Sequence, residues 1–170
     1  MGALFDNEDL YESTNGMLHA RPLKTQPIFR LAAHVLVTNG GGRILMVKPV
    51  WSGRWELPGG IIDPIGGSDA INEACALACG YRIMVRRGQS VLFTTERKRH
   101  HPIDQTFCRQ MVLVYEGCVM THQYDAALHQ LGETSEVAWR YPSQLRRRDC
   151  HPAFWPFLRT VVLNGKKRAA

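Results

Sequence analysis

The chain has 170 residues, 45% of them hydrophobic, and a formal net charge of +6. That size and apolar content fit one domain with a real core, and no apolar run approaches the roughly 20 residues that span a bilayer. The start, MGALFDNEDLYESTNG, is acidic and lacks the basic-then-apolar order of a signal peptide. The five cysteines are an odd number without regular spacing; they do not read as a disulfide framework and point to a reducing, cytoplasmic setting.

Residues 1–27 read as an N-terminal arm, with Pro22 and Pro27 interrupting any long element. Such an arm can drape over the core or pair with a second subunit, which admits a homodimer. Phe29 to Thr38 reads as a strand rich in apolar and β-branched residues, Asn39-Gly40-Gly41-Gly42 as a turn, and Arg43 to Val50 as the returning strand of a hairpin. Trp55 to Tyr81 then carries a glycine turn, a loop and a helix from Ser68 to Cys79. Ser68 is the expected N-cap, Asp69 suits the first turn, and Gly80 is the expected terminator. Ile71 and Cys75 belong to its apolar face. Cys75 and Cys79 are read as small packing groups rather than a metal clasp.

Beyond the helix, Tyr81 to Thr95 reads as one or two strands broken near Gly88. Glu96 to Gln105, ERKRHHPIDQ, reads as a polar loop, and Thr106 to Met120 holds a strong strand around Met111–Tyr115. Thr121 to Gly132 is irregular, and Glu136 to Tyr141 is another strand. Pro142 opens a short helix. His151 to Leu163 forms the second main helix, with Pro156 placed to begin its regular part and Phe154, Phe157, Leu158, Val161 and Val162 on its apolar face. Residues 164–170 form a basic tail.

The segment WELPGG…GY resembles the Nudix family, whose signature is Gly-x5-Glu-x7-Arg-Glu-U-x-Glu-Glu-x-Gly-U, with U a bulky apolar residue. The match is closest at Leu57-Pro58-Gly59-Gly60 and at Gly80-Tyr81. The interval between Gly60 and Gly80 is one residue short. Counted back from Gly80, Glu73 takes the arginine slot, while Ala74, Leu77 and Ala78 take the metal-binding glutamate slots. Counted forward, Gly66 stands at the loop glutamate. The resemblance covers residues 28–163 and implies an α/β fold, a Nudix-like α/β/α sandwich with a mixed β-sheet. It also implies a pocket for a nucleoside-diphosphate-type ligand. Because magnesium seeks hard oxygen ligands, the missing carboxylates imply weak or absent metal-dependent hydrolysis and no cofactor.

An alternative is a divergent pyrophosphohydrolase that uses Mg or Mn through acids outside the box. Its candidates are Glu73, Glu133 and Glu136 for catalysis, with Asp63 as a metal ligand. A third reading is metal-free acid–base chemistry in the same pocket; Glu56 and Glu116 sit on strands at positions open to either pocket or solvent, and whichever is buried and unpaired would have a raised pKa and could serve.

Trp51, Arg54, Glu56, Arg97, Lys98 and Arg99 are the candidate ligand-binding residues. Arginine supplies paired donors for phosphate oxygens, and Trp51 offers a stacking face. Each has a plainer role: Asp63 as a turn residue, Glu73 and the charged clusters as solvated surface. His34 reads as a core histidine, and His100, His101, Asp104 and Cys108 as a loop group without zinc spacing. The basic balance suits a phosphate-bearing small molecule. Nucleic acid is admitted by charge but supported by no motif, and no membrane partner is expected.

Overall fold

A computed structural model describes residues 10–13, 16–22, 25–85, 88–101, 105–121, 123–129 and 133–168, with side chains through residue 161. The strands are β1 Leu10–Glu12, β2 Leu18–Ala20, β3 Ile28–Val37, β4 Ile44–Pro49, β5 Gly59–Ile61, β6 Ile83–Met84, β7 Phe93–His101, β8 Thr106–Val119 and β9 Thr134–Arg140. The helices are α1 Gly67–Cys79 and α2 Trp155–Arg168. One mixed sheet runs β2-β1-β7-β8-β3-β5, with β6 also on β8, and β4 pairs with β9 in a second, two-stranded sheet.

The central ladder is parallel: β3 pairs with β8 from Ile28↔Cys108 to Val37↔Gly117. Strand periodicity sends alternate side chains to opposite faces, and each face meets its own helix. Ala32, Val112 and Val114 pack with Phe154, Phe157 and Leu158 around α2. Ala33, Val35 and Val37 pack with Ile71, Cys75 and Cys79 of α1. The fold is therefore a mixed sheet between helices, as expected.

The expected β3–β4 hairpin is corrected. One bridge, Thr38↔Ile44, follows the glycine turn, and β4 then leaves to pair with β9. The run Ile44–Val47 is buried on both faces. Ile44 and Met46 enter the α2-side core, and Leu45 and Val47 the α1-side core. A strand apolar on both faces gains more between two cores than at the margin of one sheet.

The expected polar loop at Glu96–Gln105 is also corrected, because β7 continues through His101. It pairs with β8 from Phe93↔Val114 to His101↔Thr106. Its charged residues alternate: Arg97 is buried while Glu96 is exposed and bonds Arg109. The strand lacked an apolar period because its inward residues are cations.

Helix α1 begins at Gly67 with Gly66 as N-cap and no side-chain cap, so Ser68 lies inside the first turn. The preceding 3-10 turn, Pro64–Gly66, sets that start one residue before Ser68. Gly80 ends the helix at φ 70°. Gly59 is held at φ 152°, and a β-carbon there would lie 2.1 Å from the Ala33 carbonyl oxygen. Only glycine lets β5 approach β3 this closely. In α2, Pro156 occupies the first turn, and the helix runs on to Arg168. The side chain of Val162 and all of Asp104 lie outside the described residues.

The β1–β2 hairpin joins the sheet through a parallel contact, Glu12↔Arg99. Tyr11 is fully buried there, edge-on to Phe107.

Candidate functional site

A cavity of about 850 Å3 lies over the sheet face that carries Ala32, His34, Gln110, Arg97 and Arg99. Cross-strand register builds its floor. Arg97 sits opposite Gln110, and Ala32 sits opposite Ile61 of β5. Its roof comes from Val50 and Trp51 after β4, and its far wall from Ala74, Leu77 and Ala78 of α1. A bond from the Thr134 hydroxyl to the Ala78 carbonyl, 3.0 Å, holds β9 against that wall.

The cavity is cationic at one end. Arg97 is 6% exposed and donates from Nη2 to Glu56 Oε2 at 3.0 Å. Its Nε is buried without a hydrogen-bond partner. The guanidinium lies 5.0 Å from the Trp51 ring centroid and 5.1 Å from that of Phe154. Arg99 lies still closer over Trp51, at 3.8 Å. Burial and the neighbouring Arg97 charge pull its pKa down, while Glu56 and Glu133 act the other way. Burial pushes the Glu56 carboxyl above the usual range, against the pull of Arg97 and then Arg99. Glu56 is thus buried with a raised pKa, and it is paired rather than free.

Two histidines stand beside these cations as neutral rings. His34 Nδ1–H donates to the Leu57 carbonyl at 2.9 Å. Burial, then Arg97, lowers its pKa to about 3. His151 accepts from the Ala153 amide at 3.2 Å, so its proton sits on Nε2, 4.0 Å from Glu12 of the N-terminal hairpin. Burial, then Arg97 and Arg54, lowers its pKa to about 2. Neutral histidines leave the arginine pair opposed by one buried carboxylate, an arrangement that attracts anions.

The remaining candidates scatter. Glu133 lines the rim of the cavity. Glu136 is exposed and faces Lys48 at 3.9 Å and Arg140 at 3.4 Å. Glu73 is exposed on α1 and absent from the cavity lining. Asp63 accepts from the Ile65 amide at 3.0 Å, a turn role. Arg54 is half-buried, with its amide bonded to the Ser52 hydroxyl. Lys98 points to the other sheet face, 5.9 Å from the Tyr11 ring. His100 is buried against Phe107 and His19 on that same side.

Among the described residues no three His, Cys, Asp or Glu side chains form a group able to hold a metal. The divalent cation associated with this fold does not fit the residues at its expected place, because the α1 wall offers methyl and isobutyl groups where hard oxygens are needed. Sequence reasoning missed Gln110 and His151. The β8 alternation could have found Gln110, since it shares a face with Val112 and Val114 and is the polar member of that row.

The NUDIX domain family model matches residues 28–161, and the chain belongs to the Nudix family. The fold is shared with a MutT protein from Methanosarcina mazei Go1 at TM-score 0.59 and 14% identity, covering 84% of this chain and 99% of that one. An ADP-ribose pyrophosphatase from Streptococcus suis 89-1591 matches at TM-score 0.54 and 14% identity, over 83% and 92% of the two chains. A UDP-X diphosphatase matches at 0.55 and 15%, over 88% and 68%. No curated protein matches the sequence.

Proposed function

We propose that this protein binds a phosphate-bearing small molecule of the nucleoside-diphosphate type in the 850 Å3 cavity, and that it turns such molecules over weakly or not at all by a metal-assisted route. The observation that carries this reading is the lining itself. Ala74, Leu77 and Ala78, which stand at the glutamate positions of the family signature, all face the cavity. The same helix face is used, but it carries no metal ligands. Arg97 and Arg99 remain as donors for phosphate oxygens. The related fold of a protein described as an ADP-ribose pyrophosphatase agrees with a phosphate-bearing ligand.

The test is phosphate or nucleotide release from dinucleotides, nucleotide sugars and nucleoside triphosphates, with magnesium and with manganese. The expected outcome is release far below the roughly 10 per second of an ordinary enzyme, with melting-temperature rises from ligands that do not need the metal. Ordinary turnover abolished by a chelator would overturn the reading and return Asp63, Glu73, Glu133 and Glu136 to consideration. Metal-free chemistry is a second reading, favoured by the buried Glu56 carboxyl with its raised pKa beside the cavity. It expects turnover that survives chelation and disappears in Glu56→Gln.

A further inference from the structure

The cavity is polarised along its length. Its cationic end lies on β7, at Arg97 and Arg99, and its apolar end lies where β5 meets α1. These ends are separated by β8 and β3, which is three strand spacings, or about 14 Å between backbones. A β-carbon on Gly60 of β5 would stand 3.9 Å from the Ala74 methyl, which fixes the apolar end against that strand.

Three large apolar side chains stay open to solvent at that end: Val50 at 57%, Ile61 at 50% and Leu77 at 38%. They come from β5, α1 and the turn after β4 and meet at one cavity. The wall behind them is Ala74 and Ala78. Of the polar groups nearby, the Thr134 hydroxyl already donates to the Ala78 carbonyl, and Glu133, whose carbonyl accepts from the Val50 amide, offers only acceptors at the rim. A nucleobase placed here would lose the water bonded to its edge and gain few replacements, which costs free energy for each unmet polar group. A saturated hydrocarbon group loses nothing and removes apolar surface from water.

At the other end, Arg97 presents a buried, unpartnered Nε, and Arg99 makes no ion pair among the described residues. Within the cavity the arginine pair meets one buried, ion-paired carboxylate, Glu56, and a second, exposed one at the rim, Glu133. This end accommodates one anionic headgroup.

We infer that the ligand is an amphipathic anion, with a single phosphate or carboxylate head held by Arg97 and Arg99 and an aliphatic body lying toward Val50, Ile61 and Leu77. The inference rests on the proposed anion-binding role of this cavity and replaces the nucleoside-diphosphate-type ligand of that reading with a single-headed amphipathic anion. The charged group sits on β7, away from the helix, and the aliphatic body occupies the helix end. Binding needs no divalent cation, because among the described residues no three His, Cys, Asp or Glu side chains gather at the cavity to hold one.

The experiment is calorimetry on the full chain in EDTA with four probes: inorganic phosphate, octyl phosphate, octanoate and ADP. Octyl phosphate is expected to bind at least tenfold tighter than inorganic phosphate and tighter than ADP. Octanoate binding tighter than octyl phosphate would assign the head to carboxylates; weaker binding would assign it to phosphates. Leu77→Gln, at an exposed helix position, is expected to weaken octyl phosphate at least fivefold and leave inorganic phosphate unchanged. Arg99→Gln is expected to weaken both. Octyl phosphate no tighter than inorganic phosphate, or ADP the tightest of the four, would overturn the inference while leaving a phosphate-binding cavity. Binding by none of the phosphate-bearing probes would remove both readings.

Discussion

Glu56 and Arg97 form a buried ion pair whose members depend on each other. Removing one partner from such a pair typically costs about 3–5 kcal/mol, because the other charge is left without compensation. The Arg97→Ala variant is therefore expected to be destabilised by that order. The loss should also acquire a pH dependence of known sign. The Glu56 pKa is already raised by burial and restrained by Arg97 and Arg99; without Arg97 it rises further. A carboxyl with a raised folded pKa stabilises below its unfolded pKa and loses that contribution as pH climbs through the folded value. Urea unfolding of the variant should show a larger deficit at pH 8 than at pH 5.5. An equal deficit at both would mean that Glu56 stays ionised without its partner.

At the scale of elements, the turn into α1 depends on one backbone position. Gly59→Ala places a methyl against the β3 backbone at a φ that L residues avoid. A loss of at least about 2 kcal/mol in denaturant unfolding is expected, and a loss under half that would show that β5 can draw away from β3. This element was legible in advance, since Leu57-Pro58-Gly59-Gly60 and the Gly80 terminator mark both ends of the motif. The strand β7 was not. Its inward positions are Arg97 and Arg99, so the apolar alternation that announces a strand was missing, and the residues that make the site hid the element that carries them. The path of β4 was hidden for a different reason. Its continuous burial identifies a strand between two cores but not the partner, β9, that arrives some 90 residues later. Of the candidate site, Trp51, Glu56, Arg97 and Arg99 come together around the cavity, while Lys98 and Glu73 fall outside its lining because strand and helix periodicity turn them away.

For the molecule as a whole, the two neutral histidines set the acid limit. His34 and His151 have folded pKa values of about 3 and about 2, against 6.5 when unfolded. A depressed pKa gives stability that is complete above the unfolded value and falls as pH drops below it. Each imidazole contributes a slope approaching about 1.4 kcal/mol per pH unit below 6.5, and Glu56 works in the opposite direction. Unfolding free energy should therefore decline as pH falls from 6.5 to 4.5, with the histidine slope partly offset by Glu56. Glu56→Gln should steepen the decline and His151→Gln should flatten it. A wild-type profile without a decline would mean that at least one of these rings keeps an ordinary pKa in the fold.

The β3–β8 ladder also bears on how the chain acquires its shape. Its partners, from Ile28↔Cys108 to Val37↔Gly117, are about 80 residues apart and parallel, a pairing of high contact order that closes slowly. During synthesis from the N-terminus, β3 waits for its neighbour until residue 117 has left the ribosome. Until then its apolar residues, Val35 and Val37 among them, depend on β5 and α1 for shelter. The helix wall beside the cavity thus has an earlier duty, as the first cover for the strand at the centre of the sheet.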